Sequence, residues 1–306
     1  MTANSIALEP SADPDVAEAI VRAGGELADL DSARGLVWLA GAEGFPDLGA
    51  NIEWVQLAAA GVEDFFTSGV IGRSPNVQFT SAAGAYSRTV AEHALALLLA
   101  GVRAIPDHLR ARSWQQQELA GRIGTLRDST VTIIGAGGIG RTLIPMLAAL
   151  GAHAIAVSRS GKPVPGAVAT YPIARLPEVW PETDHIVISA PATPATRHLV
   201  GADELGRLKP HSWVINVARG SLLDTDALIA ALRSGVIGGA GLDVTDPEPL
   251  PDGHPLWDLP NVIITPHDSN PPSLRRRAFA DHVGANVARF VNGCELLARV
   301  DPVMGY

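Results

Sequence analysis

The chain is poor in several things, and each shortage excludes something. Among 306 residues there is one cysteine, Cys294, so no disulfide can form within the chain and a reducing, cytoplasmic setting is expected. No neighbouring base in the sequence would activate Cys294, so it is not read as a nucleophile. The longest strongly apolar run, Ala94 to Val102, falls far short of the ~20 residues that a membrane helix requires. The leader MTANSIALEPSADPD is polar and acidic and lacks a signal-peptide core. Positive charge is also short, with 23 Lys and Arg against 32 Asp and Glu and a net charge of −9. That balance argues against a nucleic-acid partner, which would want a basic face. No repeat of solenoid length and no low-complexity segment is present.

What remains is an ordinary globular composition, 47% hydrophobic and 18% charged, in a chain long enough for two domains. The first third alternates short apolar runs, GLVWLA (35–40), WVQLAAAG (54–61) and VQFTSAAG (77–84), with the helix-like DPDVAEAIVRAGGELA. This is βαβ grammar and implies a parallel sheet. A long helix follows in SRTVAEHALALLLAGVRAI, where Thr89 and Glu92 have the spacing of a capping box. His93 lies in this helix without a partner nearby in sequence and reads as a packed or surface histidine. A second βαβ array begins at VTIIG and continues through IAVSR, HIVISA, WVINVA, AGLDV and NVIIT. The closing LRRRAFADHVGANVARFVNG is helical and long enough to return to the first domain.

VTIIGAGGIGRTLIPMLAALG places Gly135, Gly137 and Gly140 in a G-x-G-x-x-G between a strand and an apolar helix. In that context the glycines permit a tight turn, close approach of a pyrophosphate, and close helix–strand packing. The helix opens at Gly138 and Ile139, with its free N–H groups and positive dipole end toward the diphosphate. About twenty residues on, an NAD enzyme carries an acid for the ribose hydroxyls. This chain has Ser158, Arg159 and Ser160 there, with Lys162 just beyond. A carboxylate would repel a 2′-phosphate, whereas hydroxyls and a guanidinium fork bind one. NADP(H) is therefore the expected cofactor, with NAD(H) as the alternative.

Three later segments carry chemistry: INVARGSLLDTDAL (215–228), GLDVTDPEPLP (241–251) and NVIITPHDSN (261–270). With the glycine loop, LAAAGVEDFF, TVAEHALALLL and SAPATPATRHLVGADELGRLKPHSWVINVARG, the set resembles the D-isomer-specific 2-hydroxyacid dehydrogenase family along nearly the whole chain. The resemblance makes Arg219 the substrate-carboxylate clamp, Glu248 the partner of the catalytic histidine, and His267 the general acid/base. It places Ala190, Pro191, Thr196 and Val217 along the cofactor, and Asp243 near the nicotinamide, where a buried structural acid is the competing reading. The backbone of Ala59, Ala60 and Gly61 would meet the substrate carboxylate. No metal is implied.

Those roles make chemical sense. A guanidinium can grip the carboxylate of a 2-oxo acid and polarise its ketone. Hydride addition leaves a developing alkoxide that needs a proton from a group titrating near neutrality, and histidine is that group. A carboxylate on the imidazole fixes its tautomer and favours its charged form. Two departures stand out: the ribose acid is missing, and Asp268-Ser269-Asn270-Pro271-Pro272 follows the histidine where many members have small residues.

The expected fold is α/β with two doubly wound, Rossmann-like parallel-sheet domains and a cleft between them. Residues 1–98 plus 273–306 would form a flavodoxin-like substrate domain and 99–272 the nucleotide domain, with hinges near 88–105 and 268–275. Resemblance also implies a homodimer. The expected reaction is NADPH-dependent reduction of a small 2-oxo acid, such as glyoxylate or hydroxypyruvate, to the D-2-hydroxy acid. An NAD-linked dehydrogenase of the phosphoglycerate type is the alternative, and the chain's end at VDPVMGY without a regulatory extension weighs against it. A dinucleotide-sensing protein resembling the family's corepressors is the alternative from outside enzymes.

Overall fold

The computed structural model describes residues 4–302. The chain forms two compact units, one running to Tyr86 and resuming at Pro271, the other comprising Ser87–Asn270.

In the first unit, β1 (Ser5–Glu9), β2 (Glu26–Leu27), β3 (Gly35–Trp38), β4 (Trp54–Leu57) and β5 (Gln78–Thr80) form a sheet in the order β2-β1-β3-β4-β5. Every pair is parallel, and the order reverses at β1/β3 as in flavodoxin-like sheets. The Pro14–Arg22 helix starts where Asp13 accepts from the N–H groups of Asp15 and Val16, satisfying donors the first turn leaves open. Its buried Val16, Ala19 and Ile20 face inward, and it packs against the helix Pro272–Val291. Backbone bonds of Ser81 N–H to Ala298 and Val300 N–H to Phe79 cover the outer edge of β5, which would otherwise present unpaired groups. β1 lies inside the polar leader, where the sequence reading placed no strand. Its Ile6 and Ala7 are fully buried, too short an apolar stretch to stand out.

The second unit holds seven strands: β6 (Thr130–Ile134), β7 (His153–Ser158), β8 (Ala169–Pro172), β9 (His185–Ile188), β10 (Trp213–Asn216), β11 (Gly239–Leu242) and β12 (Val262–Ile264). They pair in parallel in the order β12-β11-β10-β9-β6-β7-β8. This is the Rossmann order extended by one strand, reversing between β6 and β9. The half-buried β8, at the edge, lacks the apolar run that marks the others.

Three expectations differ from the structure. The unit boundary falls before Ser87 and not after Leu98, because one continuous helix, Ser87–Val102, buries Ala91, Ala94, Leu97 and Leu98 and packs on β10 and β11. That helix begins at Ser87, so Thr89 sits inside its first turn instead of capping it. Its hydroxyl donates to Asn270 Oδ1 at 3.0 Å. The second boundary falls between Asn270 and Pro271.

Candidate active site

Parallel strands all present their carboxyl ends on one edge of the sheet, and in doubly wound folds ligands bind there, at the reversal of strand order. In the second unit the sequence-derived groups fall on that edge: the glycine loop after β6, the Ser158–Lys162 turn after β7, Ala190 and Pro191 after β9, Arg219 after β10, Glu248 after β11 and His267 after β12.

The glycine loop has the geometry its residue types require. Gly135 takes φ +105°, and a Cβ there would overlap the backbone of Ser189 and Ala190. A Cβ at Gly140 would lie 2.6 Å from the Gly135 carbonyl oxygen. Ser189 Oγ donates to the Gly135 carbonyl at 2.7 Å, tying the loop to the end of β9. The Gly138–Ala149 helix starts after Gly137 with no side-chain cap, and space around the Gly137 Cα is open. The first-turn N–H groups thus meet no capping side chain, which fits a diphosphate.

In the next turn, Ser158 Oγ accepts from Gly161 N–H at 3.1 Å and Ser160 Oγ from Lys162 N–H at 3.4 Å. Both hydroxyls shape the turn and keep their own hydrogens for an acceptor. Arg159, Ser160 and Lys162 are exposed. Further along, Thr196 Oγ1 donates to the Pro191 carbonyl at 2.9 Å and accepts from Thr193 N–H at 2.8 Å, fixing the Ala190–Thr196 loop. Val217 is buried, with its N–H on the Ile188 carbonyl.

A glycine lets the loop that carries Arg219 pack directly on the loop that carries Glu248. A Cβ on Gly220 would overlap the backbone of Thr245 and Asp246, so the segment after β10 abuts the segment carrying Glu248. Thr225 Oγ1 donates to the Asp246 carbonyl at 2.8 Å across the same junction. The Arg219 backbone is set by Asn216, whose Nδ2 donates to the Arg219 carbonyl at 2.9 Å and whose Oδ1 accepts from Ala218 N–H at 3.1 Å. One guanidinium nitrogen donates to the Ala218 carbonyl at 2.8 Å.

His267 Nδ1 lies 2.6 Å from Glu248 Oε1. An ionised carboxylate only accepts, so Nδ1 carries the proton and Nε2 is left to exchange one with a ligand. Thr245 N–H donates to the other Glu248 oxygen at 3.4 Å. The His267 imidazole is about half exposed, while its backbone sits in the left-handed region at φ +52°. Its N–H is shared between the carbonyls of Asp243 (2.8 Å) and Thr265 (3.0 Å).

Asp243 is 1% exposed and acts as a cap. Its Oδ1 accepts from Thr265 Oγ1 at 2.7 Å and Asp268 N–H at 3.1 Å, and its Oδ2 from Ser269 N–H at 3.3 Å. The sequence reading set His93 aside, but its Nε2 lies 2.9 Å from Thr265 Oγ1 and 3.5 Å from Asp243 Oδ1. No sequence signal links it to Thr265, 172 positions away, beyond its lying on an apolar helix. His93, Asp243 and Asp268 offer ligand atoms within 4.8 Å of one another, yet protein donors already fill the Asp243 oxygens.

Ala59, Ala60 and Gly61 belong to the first unit, just after β4. The Tyr86 phenol donates to the Ala58 carbonyl at 2.8 Å, and Ala82 N–H to the Ala59 carbonyl at 2.8 Å. Burial pushes the Tyr86 phenol up to about 12, although Arg275 works against it, so the phenol stays a donor at neutral pH. Ala59 and Ala60 are exposed.

Residues 93–269 match the family model described as "D-isomer specific 2-hydroxyacid dehydrogenase, NAD binding domain". A protein of Corynebacterium melassecola, an uncharacterized protein in proB 3'region, is 40% identical over 94% of this chain and 95% of its own length. The human glyoxylate reductase/hydroxypyruvate reductase is 34% identical over 72% of this chain and 68% of its own. A D-isomer specific 2-hydroxyacid dehydrogenase from Xanthobacter autotrophicus Py2, solved with NADPH and MES, aligns with a TM-score of 0.81 at 30% identity over 99% of both chains. Among the described residues, no helix is long and apolar enough to cross a membrane.

Proposed function

This chain belongs to the D-isomer-specific 2-hydroxyacid dehydrogenase family, oxidoreductases acting on CH–OH groups, and from that premise we propose that it reduces a small 2-oxo acid to the D-2-hydroxy acid with NADPH, glyoxylate and hydroxypyruvate representing the substrate class. The observation that carries the reading is the 2.6 Å bond between His267 and Glu248, on the sheet edge that also bears Arg219 and the glycine loop. In this reading Arg219 holds the substrate carboxylate and polarises the adjacent ketone. The chemistry a bound reduced nicotinamide supplies is a hydride for the carbonyl carbon. His267 Nε2 gives a proton to the oxygen, and the Glu248 carboxylate holds Nδ1 and orients the ring. The Ala59–Gly61 segment, exposed at Ala59 and Ala60, is small enough for a carboxylate to approach its backbone N–H groups.

Gly135, Gly137, Gly138, Ile139 and Gly140 hold the diphosphate, and Ala190, Pro191, Thr196 and Val217 line the rest of the cofactor. Ser158, Arg159, Ser160 and Lys162 take the 2′-phosphate, a role supported by two hydroxyls with available hydrogens and by the absence of an acid in the turn. The NADPH bound to the Xanthobacter protein supports the same choice. We also propose a homodimer, because the segment after the Ser87–Val102 helix leaves Leu109 74% and Trp114 89% exposed, an apolar display more typical of an interface than of a free surface. Light scattering should give twice the monomer mass.

Mixing the protein with NADPH and glyoxylate, hydroxypyruvate or pyruvate should consume NADPH. Tight NADPH binding without turnover of any of the three would favour a dinucleotide-sensing protein instead.

A further inference from the structure

We propose that His93 is a positioning residue for His267: through Thr265 and Asp243 it locks the turn that holds His267 in its left-handed conformation. The directions of the hydrogen bonds can be worked out from donor counts. Thr265 Oγ1 has one hydrogen, and at 2.7 Å from a carboxylate oxygen it must donate that hydrogen to Asp243. The same hydroxyl, 2.9 Å from His93 Nε2, can then only accept, so His93 carries a proton on Nε2. A directed chain results, from imidazole N–H to hydroxyl to carboxylate, in which each donation polarises the next.

That chain ends on a turn under strain. A non-glycine residue at φ +52° occupies a sparsely populated region and stays there only where its surroundings over-determine it. Asp243 provides the surroundings: its carbonyl takes His267 N–H, and its carboxylate takes the next two amides, Asp268 and Ser269. One turn earlier on the same helix face, Thr89 donates to Asn270, so residues spaced i, i+4 grip both ends of segment 265–270. Asp243 is buried; Thr265 donates to its carboxylate, and His93 in turn donates to Thr265. Removing His93 takes away the first link of this chain and loosens the catalytic turn without touching the glycine loop.

The consequence for catalysis rests on His267 being the proton donor, but the lock itself does not, and the test separates the two. Amide hydrogen exchange at His267, Asp268 and Ser269 should be compared in the full chain for wild type, His93→Leu, His93→Gln and Thr265→Val. Exchange should accelerate about tenfold or more in His93→Leu and Thr265→Val. The double variant should add little to either single one. His93→Gln, which keeps a donor near the Nε2 position, should stay close to wild type. With glyoxylate and NADPH, kcat of His93→Leu should fall about tenfold while KM and NADPH affinity change by less than about threefold. Unchanged exchange at 267–269 in both His93→Leu and Thr265→Val would overturn the lock. A rise in KM at constant kcat would overturn the positioning of His267 for proton transfer. A wild type that turns over no 2-oxo acid would defeat the reductase reading alone, since the exchange comparison would still stand.

Discussion

The second sheet carries a histidine beside a carboxylate at both of its edges, and the two pairs do opposite things. At the carboxyl edge, His267 is about half exposed, holds Glu248 with Nδ1 and keeps Nε2 open. At the amino edge, where β9 begins, His185 is 3% exposed, and its Nδ1 accepts from Trp213 N–H at 3.1 Å. Its neighbour Asp184 takes Lys209 Nζ at 2.6 Å, His211 Nε2 at 3.2 Å and Thr130 N–H at 2.7 Å. Burial would raise Asp184, but the Lys209 and Thr130 bonds outweigh it and hold the carboxyl below its usual value. Burial, with His211 adding to it, drives His185 down to about 4. A histidine kept neutral and buried cannot cycle a proton at neutral pH, so this group pins strands together. Proximity of His to an acid is therefore a poor marker of acid–base chemistry; an open nitrogen facing solvent is the better one.

Several variants can break or sharpen that contrast. The largest effect is expected from His267→Ala, which should lower kcat about 10²–10⁴-fold with NADPH binding intact by fluorescence titration. Glu248→Gln keeps a hydrogen-bonding side chain but loses its charge. A charge-assisted hydrogen bond is worth about 1.5–3 kcal/mol, so kcat should drop about 10–100-fold at ~1.4 kcal/mol per decade. Arg159→Ala should weaken NADPH about tenfold and leave NADH nearly untouched, since the proposed 2′-phosphate contact is what the variant loses.

The amino edge should respond in stability and not in turnover. His185 falls from 6.5 unfolded to about 4 folded, so between those values the unfolded chain takes up a proton that the folded one refuses. Its contribution is complete above pH 6.5 and lost as the pH falls toward about 4, by roughly 3 kcal/mol in all. Melting temperature should decline through that window. His185→Asn, which keeps an acceptor for Trp213, should flatten the decline and leave kcat at neutral pH unchanged. A neutral-pH loss of kcat in this variant would erase the distinction between the two edges.

The positions of these groups at strand ends are legible in the sequence. The glycine loop, Arg219, Glu248 and His267 each sit where a strand gives way to a loop, and strand ends are readable from short β-branched runs. What escaped the sequence depended on contacts between distant segments. His93 lies on a mostly apolar helix, and only packing of that helix on β10 and β11 brings it to Thr265. Asp243 read first as a cofactor neighbour, with a buried structural acid as the competing reading, and it caps the amides of Asp268 and Ser269. β1 and β8 were missed because a strand at the polar leader or at a sheet edge needs little apolar length. The expected capping box is displaced because the helix begins at Ser87, two residues before Thr89, whose hydroxyl meets Asn270, 181 residues away.

The central claim is that the missing carboxylate after β7 selects the nucleotide for an otherwise intact 2-oxo acid reductase. Steady-state kcat/KM of the wild type, measured with NADPH and with NADH against the same 2-oxo acid, tests it most directly. NADPH should be the better cofactor by about tenfold or more, a margin equal to one phosphate–guanidinium contact. An equal or higher kcat/KM with NADH would contradict the account.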